Sequence, residues 1–295
     1  DGTVRIIAAS DVLAAGFGVS AKVRFRSGAG RADALADALA ARPEVRFVAT
    51  LTGSADVSAE IVLPRMADLT GFLGTVTVDG HPVETEALPV VRTFTAPFTV
   101  FPGEALVRSP GVSDTANAPA PDPSDGVAPV HADATEVERA VLGGLVHDGR
   151  RSLAELARRT GRSEATTRRV LEDLLRSGRL RIGPLVAPAL LGRTTALEVW
   201  ISVAPDRLSA AAAQLAAHPD VHYAAASLGR FNLVGQVFLP DFASVYTFTT
   251  DVLGALPGVR EVDTTVQLRT AKRMWSRLAD DRFVPLTDGQ ATAIA

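Results

Sequence analysis

Cysteine is absent from the chain. Neither a disulfide framework nor a thiolate metal site can therefore be built. Long apolar runs are missing too: none approaches the roughly 20 residues that cross a bilayer. The opening stretch DGTVRIIAAS lacks the basic-then-apolar order of a secretion signal, so a cytoplasmic protein without membrane contact is expected. Histidine is scarce, at five residues in 295. His218 and His222 stand four apart, but Pro219 lies between them and prevents the shared helical face that paired metal ligands use. Separate loop and strand-edge places are expected for them, with no metal and no cofactor. His147 closes a helix and is read as offsetting its dipole. Charge of one sign is lacking as well. A net charge of −3 excludes a protein that is basic throughout, of the kind that packs nucleic acid without selectivity.

What is present suits two or three ordinary domains, with 47% hydrophobic and 21% charged residues. An internal repeat organises them. Adding 176 to a residue number carries Val23, Leu39, Pro43, Val45, Gly53, Leu63 and Pro64 onto Val199, Leu215, Pro219, Val221, Gly229, Leu239 and Pro240. After one inserted residue, Arg92-Thr93 falls on Arg269-Thr270. In each copy an alternating strand comes first. Val19, Ala21, Val23 and Phe25 alternate with Ser20, Lys22, Arg24 and Arg26, a pattern that predicts one buried face. A helix follows and stops at Pro43 or Pro219, then two strands joined by a glycine turn. A second helix begins near Asp68 or Asp241, and a last strand runs near Val83 to Val91 or Val259 to Leu268. That order is βαββαβ, a split unit with helices on one sheet face and the other face in need of cover.

Between the copies, 109–129 holds five prolines in 21 residues and reads as a linker without a fold of its own. Three short helices and a strand-like wing follow, from Asp133 to Ile182. Asp133 with Glu136, Ser152 with Glu155, and Ser163 are the expected N-caps. Thr160-Gly161 makes a tight turn between the second and third helices. Residues 133–192 carry eleven Arg against eight Asp plus Glu, so the basic charge of an acidic chain is concentrated here. Two capped helices on so short a turn suggest a helix-turn-helix whose third helix enters a DNA major groove N-terminus first. Arg158, Arg162, Ser163, Glu164, Thr166, Arg168 and Arg169 are the expected contacts to phosphates and base edges.

Ser163, Thr166, Arg168 and Arg169 on that third helix, followed by a βαββαβ pattern, resemble the Lrp/AsnC (leucine-responsive, or feast/famine) family of transcription regulators. The resemblance covers nearly the whole chain apart from the linker and tail. It implies an α+β protein in which two ferredoxin-like βαββαβ domains flank one winged helix-turn-helix. The expected boundaries are 1–106, linker 107–132, helix-turn-helix 133–192, second domain 193–283 and tail 284–295. It also implies double-stranded DNA and a small effector such as an amino acid as partners, together with homo-oligomers formed through the βαββαβ domains. Two copies in one chain suggest a pseudo-dimer made by a single polypeptide; pairing of each copy with its equivalent in another chain is the alternative.

Family members bind effectors near the loop between the second and third strands of the βαββαβ unit. The resemblance therefore places effector contacts at Gly53, Ser54 and Asp56 in the first copy and at Gly229, Arg230 and Asn232 in the second. Gly2 maps onto Gly178, the residue that ends the third helix, so another helix-turn-helix upstream is expected. Not an enzyme is the expectation. Siroheme decarboxylases are similar to the same family, but would need haem-facing His, Tyr and Arg within the sheet. Here Tyr stands only at Tyr223 and Tyr246, and no His is expected in a strand cluster. A ligand-sensing scaffold without DNA binding is the third reading, disfavoured by the intact Arg set.

Overall fold

The computed structural model describes residues 2–28, 30–95 and 133–285. The linker at 107–132 and the tail beyond 285 fall outside them. Strand β1 (Val4–Ala9) comes first. The first repeat follows: β2 (Val19–Arg26), α1 (Ala32–Ala41), β3 (Val45–Leu51), β4 (Val57–Leu63), α2 (Asp68–Gly74), a small hairpin β5 (Thr77–Val78) and β6 (His81–Pro82), and β7 (Glu84–Thr93). Helices α3 (Glu136–Leu145), α4 (Leu153–Thr160) and α5 (Glu164–Arg176) lead to β8 (Arg181–Val186). The second repeat is β9 (Thr195–Val203), α6 (Leu208–Ala216), β10 (Val221–Ser227), β11 (Leu233–Leu239), α7 (Ser244–Thr247, continued as a wider turn to Leu253) and β12 (Val259–Arg273). Two short strands, β13 (Ser276–Ala279) and β14 (Arg282–Phe283), close the described chain.

The repeats do not stand apart. Strand β7 pairs with β2 and then crosses to β10 of the other repeat. Strand β12 does the reverse, pairing with β9 and then with β3. Both last strands overrun their expected ends at Val91 and Leu268, because each continues into the partner repeat. The circuit β12-β3-β4-β2-β7-β10-β11-β9 returns to β12, so these eight strands form a closed ring with no free edge. Its two seams are equivalent. One aligns Ser227 with Val90 and the other Leu51 with Gln267, positions related by the repeat offset. Strands β1 and β8 obey the same twofold, pairing Arg5 with Leu185 and Ala9 with Arg181. The open sheet face of each repeat is thus covered by the other repeat of the same chain, the first of the two pairings expected.

Helices cover the outside of the ring. Leu35, Leu39 and Phe72 pack on Val23, Phe25 and Ile61; Leu215, Phe248 and Leu253 pack on Leu197, Val199 and Ile201. Inside, the ring is not simply apolar. Strand β2 is buried on both faces rather than one, since Lys22 and Arg24 point inward and are each 5% exposed. Partners make that burial tolerable. Lys22 Nζ lies 3.4 Å from Glu198 Oε1, and Arg24 bonds Glu86 at 2.7 Å and Asp263 at 2.6 Å.

The three central helices form their own core from Val141, Leu142, Leu145, Leu156 and Leu174, seated on Ala8, Val12, Phe17 and Trp275. Helix α3 starts at Glu136 and is capped by Thr135 with Glu138, not by Asp133 with Glu136. Thr135 has the extended backbone that an N-cap needs, and its hydroxyl accepts from the Glu138 amide at 3.3 Å. Helices α3 and α4 cross closely, since a Cβ built on Gly144 would lie 2.6 Å from Leu156 Cδ2. We expect Gly144→Ala to cost about 1 to 3 kcal/mol by overpacking, read as a lower urea midpoint. An unchanged midpoint would show that the crossing has slack.

His147 follows α3 and is buried rather than offsetting a dipole at the surface. Burial, with Lys272, Arg151, Arg5 and Arg159 nearby, pushes its pKa down to about 4, so at neutral pH it carries no charge to set against the helix. The unfolded chain binds this proton more readily. Stability is therefore full above about pH 6.5 and falls as pH drops toward 4, by up to about 3 kcal/mol. Denaturant titrations at pH 7.5 and 5 should show the loss, and His147→Asn should flatten it. An equal slope in the variant would assign the loss to other groups.

Candidate functional site

The turn between α4 and α5 is built from short-range chemistry. Ser152 and Glu155 form a capping box on α4, and Ser163 accepts from the Thr166 amide at 3.2 Å to start α5. Gly161 ends α4 in the left-handed conformation, φ +63. Beneath the turn, the Thr160 and Thr167 hydroxyls meet at 3.0 Å, with Thr167 fully buried. This lock sets the angle between the two helices.

The arginines around it divide into two groups. Arg159 turns inward and donates to the Ala140 carbonyl at 3.2 Å. Arg179 pairs with Glu138 at 2.5 Å, and Arg176 with Asp173 at 2.9 Å. By contrast Arg158, Arg162, Arg168 and Arg169 are exposed, and among the described residues no carboxylate lies within ion-pair distance of them. Ser163, Glu164 and Thr166 are exposed beside them. The result is a solvent-facing surface of net positive charge without ion pairs at the N-terminal end of a 13-residue helix, where the helix dipole adds to the attraction for anions.

The hairpin residues assigned to an effector lie at the two seams of the ring. Asp56 Oδ2 accepts from the Ser27 amide at 2.7 Å and from the Gly28 amide at 3.0 Å. Its counterpart Asn232 bonds the amide and carbonyl of Val203 at 2.8 and 2.9 Å. Ser27 and Val203 are equivalent under the repeat, so acid and amide do one job: each ties its hairpin to the end of the first strand. The hairpins then dock on the opposite repeat. The Thr52 amide donates to Val266 and the Leu228 amide to Pro89, both at 2.9 Å. Ser54 Oγ donates to Asp263 of the other repeat at 2.8 Å, whereas Arg230 pairs with Glu261 of its own repeat. Gly53 and Gly229 both have positive φ, at +91 and +123, and face Thr265 and Leu88 across the seam. A cleft lined by Arg26, Ser27, Gly28, Arg31 and His81 opens beside Asp56.

One site has no counterpart among the sequence expectations. A cavity of ≈ 160 Å³ lies at one end of the ring, between the repeats, with Lys22, Arg46, Arg92, Arg273, His222 and Tyr223 in its wall. Arg46 pairs with Glu60. Arg273 has no carboxylate within ion-pair distance among the described residues. It rests over the Phe238 ring at 4.4 Å and donates to Gln236 Oε1 at 3.4 Å. Burial lowers its pKa to about 10, which still leaves it charged at neutral pH. Tyr223 Oη, Gln236 Nε2 and Arg46 Nε find no hydrogen-bond acceptor among the described residues. His222 stands within β10 and packs edge-on against Phe238, a strand position inside the ring rather than at its edge. The sequence signal for this cavity is weak: its wall residues are scattered over many strands, and only ring closure brings them together.

Comparison with known proteins agrees with this architecture. A family model for the Lrp/AsnC ligand binding domain matches the chain twice, at residues 19–94 and 197–275. An uncharacterized HTH-type transcriptional regulator of Pyrococcus furiosus is 26% identical over 144 residues, 48% of this chain and 97% of the relative. The HTH-type transcriptional regulator FL11 of Pyrococcus horikoshii is 25% identical over 138 residues, 46% of this chain and 91% of that protein. Among solved structures, the siroheme decarboxylase NirDL superposes with a TM-score of 0.56 at 16% identity, over 92% of this chain and 77% of that one; at that identity the likeness is one of fold. With its family match falling on both halves of the ring and spanning more than half of its length, the chain belongs to the Lrp/AsnC ligand-binding domain family.

Proposed function

We propose that the chain is a DNA-binding transcription regulator in which α3 to α5 and β8 act as a winged helix-turn-helix and α5 reads the major groove. The observation that carries this reading is the sorting of arginines. Those that brace the unit are bonded, while Arg158, Arg162, Arg168 and Arg169 are exposed and uncompensated around the N-terminus of α5. A merely solvated helix face has no reason to gather unpaired charge at one end. The names of the relatives support the same reading. Selection of bound fragments from a genomic library, followed by mobility shift, tests it. Enrichment of one sequence class, abolished in Arg168→Ala/Arg169→Ala, is the expected result. Failure to retain any fragment at low salt would leave the chain a ligand-sensing scaffold.

A small effector such as an amino acid belongs to this reading, at the seams formed by Gly53, Ser54 and Asp56 and by Gly229, Arg230 and Asn232. Because each hairpin touches the last strand of the other repeat, a ligand there would change how the repeats lean on each other. The angle or spacing of DNA readers in an assembly would follow. One reader buries too little surface for tight specific binding, so a second reader, such as that of another chain, is required. Since the inner sheet faces are covered by each other, chains would meet through other surfaces.

A second reading rests on the placement of His222 and Tyr223 with Arg46, Arg92 and Arg273 around one cavity, which brings together the residue types a siroheme-decarboxylase-like enzyme would need. The cavity, at ≈ 160 Å³, is below the roughly 300 to 1,000 Å³ of clefts that enclose larger organic ligands. Absorbance after siroheme addition separates the readings: an unshifted spectrum is expected for a regulator.

A further inference from the structure

We infer that the cavity between the repeats is a binding site for a compact carboxylate with an apolar body, distinct from the hairpin seams and independent of DNA binding. Three observations converge on that chemistry. First, the wall carries more positive than negative charge, and Arg273 is a buried guanidinium with no carboxylate within ion-pair distance among the described residues, Asp281 acting on it from farther away. An uncompensated buried charge is costly, and a bound carboxylate would compensate it with charge-assisted hydrogen bonds. Second, the wall includes unsatisfied donors. Tyr223 Oη, Gln236 Nε2 and Arg46 Nε have no acceptor among the described residues, and a pair of carboxylate oxygens supplies acceptors and no donor. Third, apolar side chains, Phe47, Val90, Leu185 and Phe238 among them, share the wall with Ser10, Asp11, Ser20, Glu60, Thr93 and Thr95. A cavity that joins apolar surface to convergent polar groups is what small-molecule sites present.

The two repeats contribute unequally. Arg46 and Glu60 correspond to His222 and Gln236 under the 176-residue offset, so a chain with identical repeats would not have this wall. Divergence of the copies built one asymmetric site at the pseudo-twofold interface, and the paired charges Arg46 and Glu60 face the neutral Tyr223 and Gln236 across it.

Calorimetric titration of the whole chain with 3-phenylpropionate and with its neutral counterpart 3-phenylpropionamide tests the inference. One saturable site for the acid is expected, with the amide at least about tenfold weaker. Arg273→Gln should weaken the acid about tenfold and leave the amide unchanged; Tyr223→Phe, which keeps the shape of the wall, should weaken the acid by a smaller factor. Thermal unfolding supplies a second readout. Removing an uncompensated buried charge should leave the melting temperature of Arg273→Gln equal to or above the parent's, whereas replacing an arginine that only braces the fold would lower it. Equal affinities for acid and amide, acid binding untouched by both variants, or no saturable binding would overturn the inference. So would binding of siroheme together with refusal of the acid.

Discussion

Lys22→Glu should be among the most damaging single substitutions in this chain, and Glu198→Lys added to it should undo much of the damage. Lys22 and Glu198 occupy the same position of the two repeats, since 22 plus 176 is 198. They meet inside the ring with side-chain exposures of 6% and 1%. Gln267 Nε2 donates to the same Glu198 oxygen at 3.3 Å, and the ammonium lies 4.7 Å from the Phe47 ring. Placing glutamate at 22 puts two carboxylates together in a buried site. Breaking a buried pair costs about 3 to 5 kcal/mol, which for a chain of this size lowers the melting temperature by roughly 6 to 20 °C. The double charge exchange restores attraction but not the cation's place over the aromatic ring, so recovery should be incomplete.

The same pair bears on assembly. If each repeat paired with its equivalent from another chain, Lys22 would face Lys22 and Glu198 would face Glu198. Opposite charges at one repeat position therefore favour pairing within a chain over pairing between like repeats. Light scattering on Lys22→Glu and on the exchanged double variant, beside their melting curves, would show this. A single variant as stable as the parent, or an exchange no better than the single change, would contradict it.

The second large effect is expected on DNA. Replacing Arg158, Arg162, Arg168 and Arg169 together by Ala should abolish detectable binding at physiological salt and leave folding intact, because these side chains are exposed and make no ion pair among the described residues. Every arginine that meets a phosphate should, on replacement, reduce the slope of log affinity against log salt by about 0.9. A base-contacting arginine instead costs about 1 to 3 kcal/mol and relaxes preference at one position. Arg168 and Arg169 lie on successive positions of α5 and point in different directions around it. Single variants should therefore separate, one acting on sequence preference and the other on all sequences alike.

Much of this is legible from local chemistry. The caps at Ser152 and Ser163, the Gly161 turn and the apolar spacing of α3 to α5 involve residues a few positions apart, where sequence spacing and spatial contact coincide. The constant offset exposes the repeat, because both copies keep glycine and proline where the backbone needs them. Contacts between distant parts are another matter. Lys22 and Arg24 alternate with apolar residues in the pattern of a half-solvated strand, and their burial depends on Glu198 and Asp263, which are 176 and 239 positions away. The overrun of β12 to Arg273 depends on β3 being in reach. Asp56 and Asn232 read in sequence as an acid and its replacement, yet both tie a hairpin to a preceding strand, a duty for which either side chain serves. His222 has no companion nearby in sequence to mark it; its company in the cavity arrives from β3, β7, β11 and β12.

Salt dependence gives the sharpest test of α5 and its arginines as the reader of DNA. Affinity of the parent chain and of the four-arginine variant for a selected fragment should be measured from low to physiological salt and plotted on logarithmic axes. A steep line is expected for the parent and a shallower, much weaker one for the variant, with slopes differing by up to about 3.6 if all four arginines meet phosphate. Coincident lines would contradict the assignment of this helix and its arginines as the DNA-reading surface.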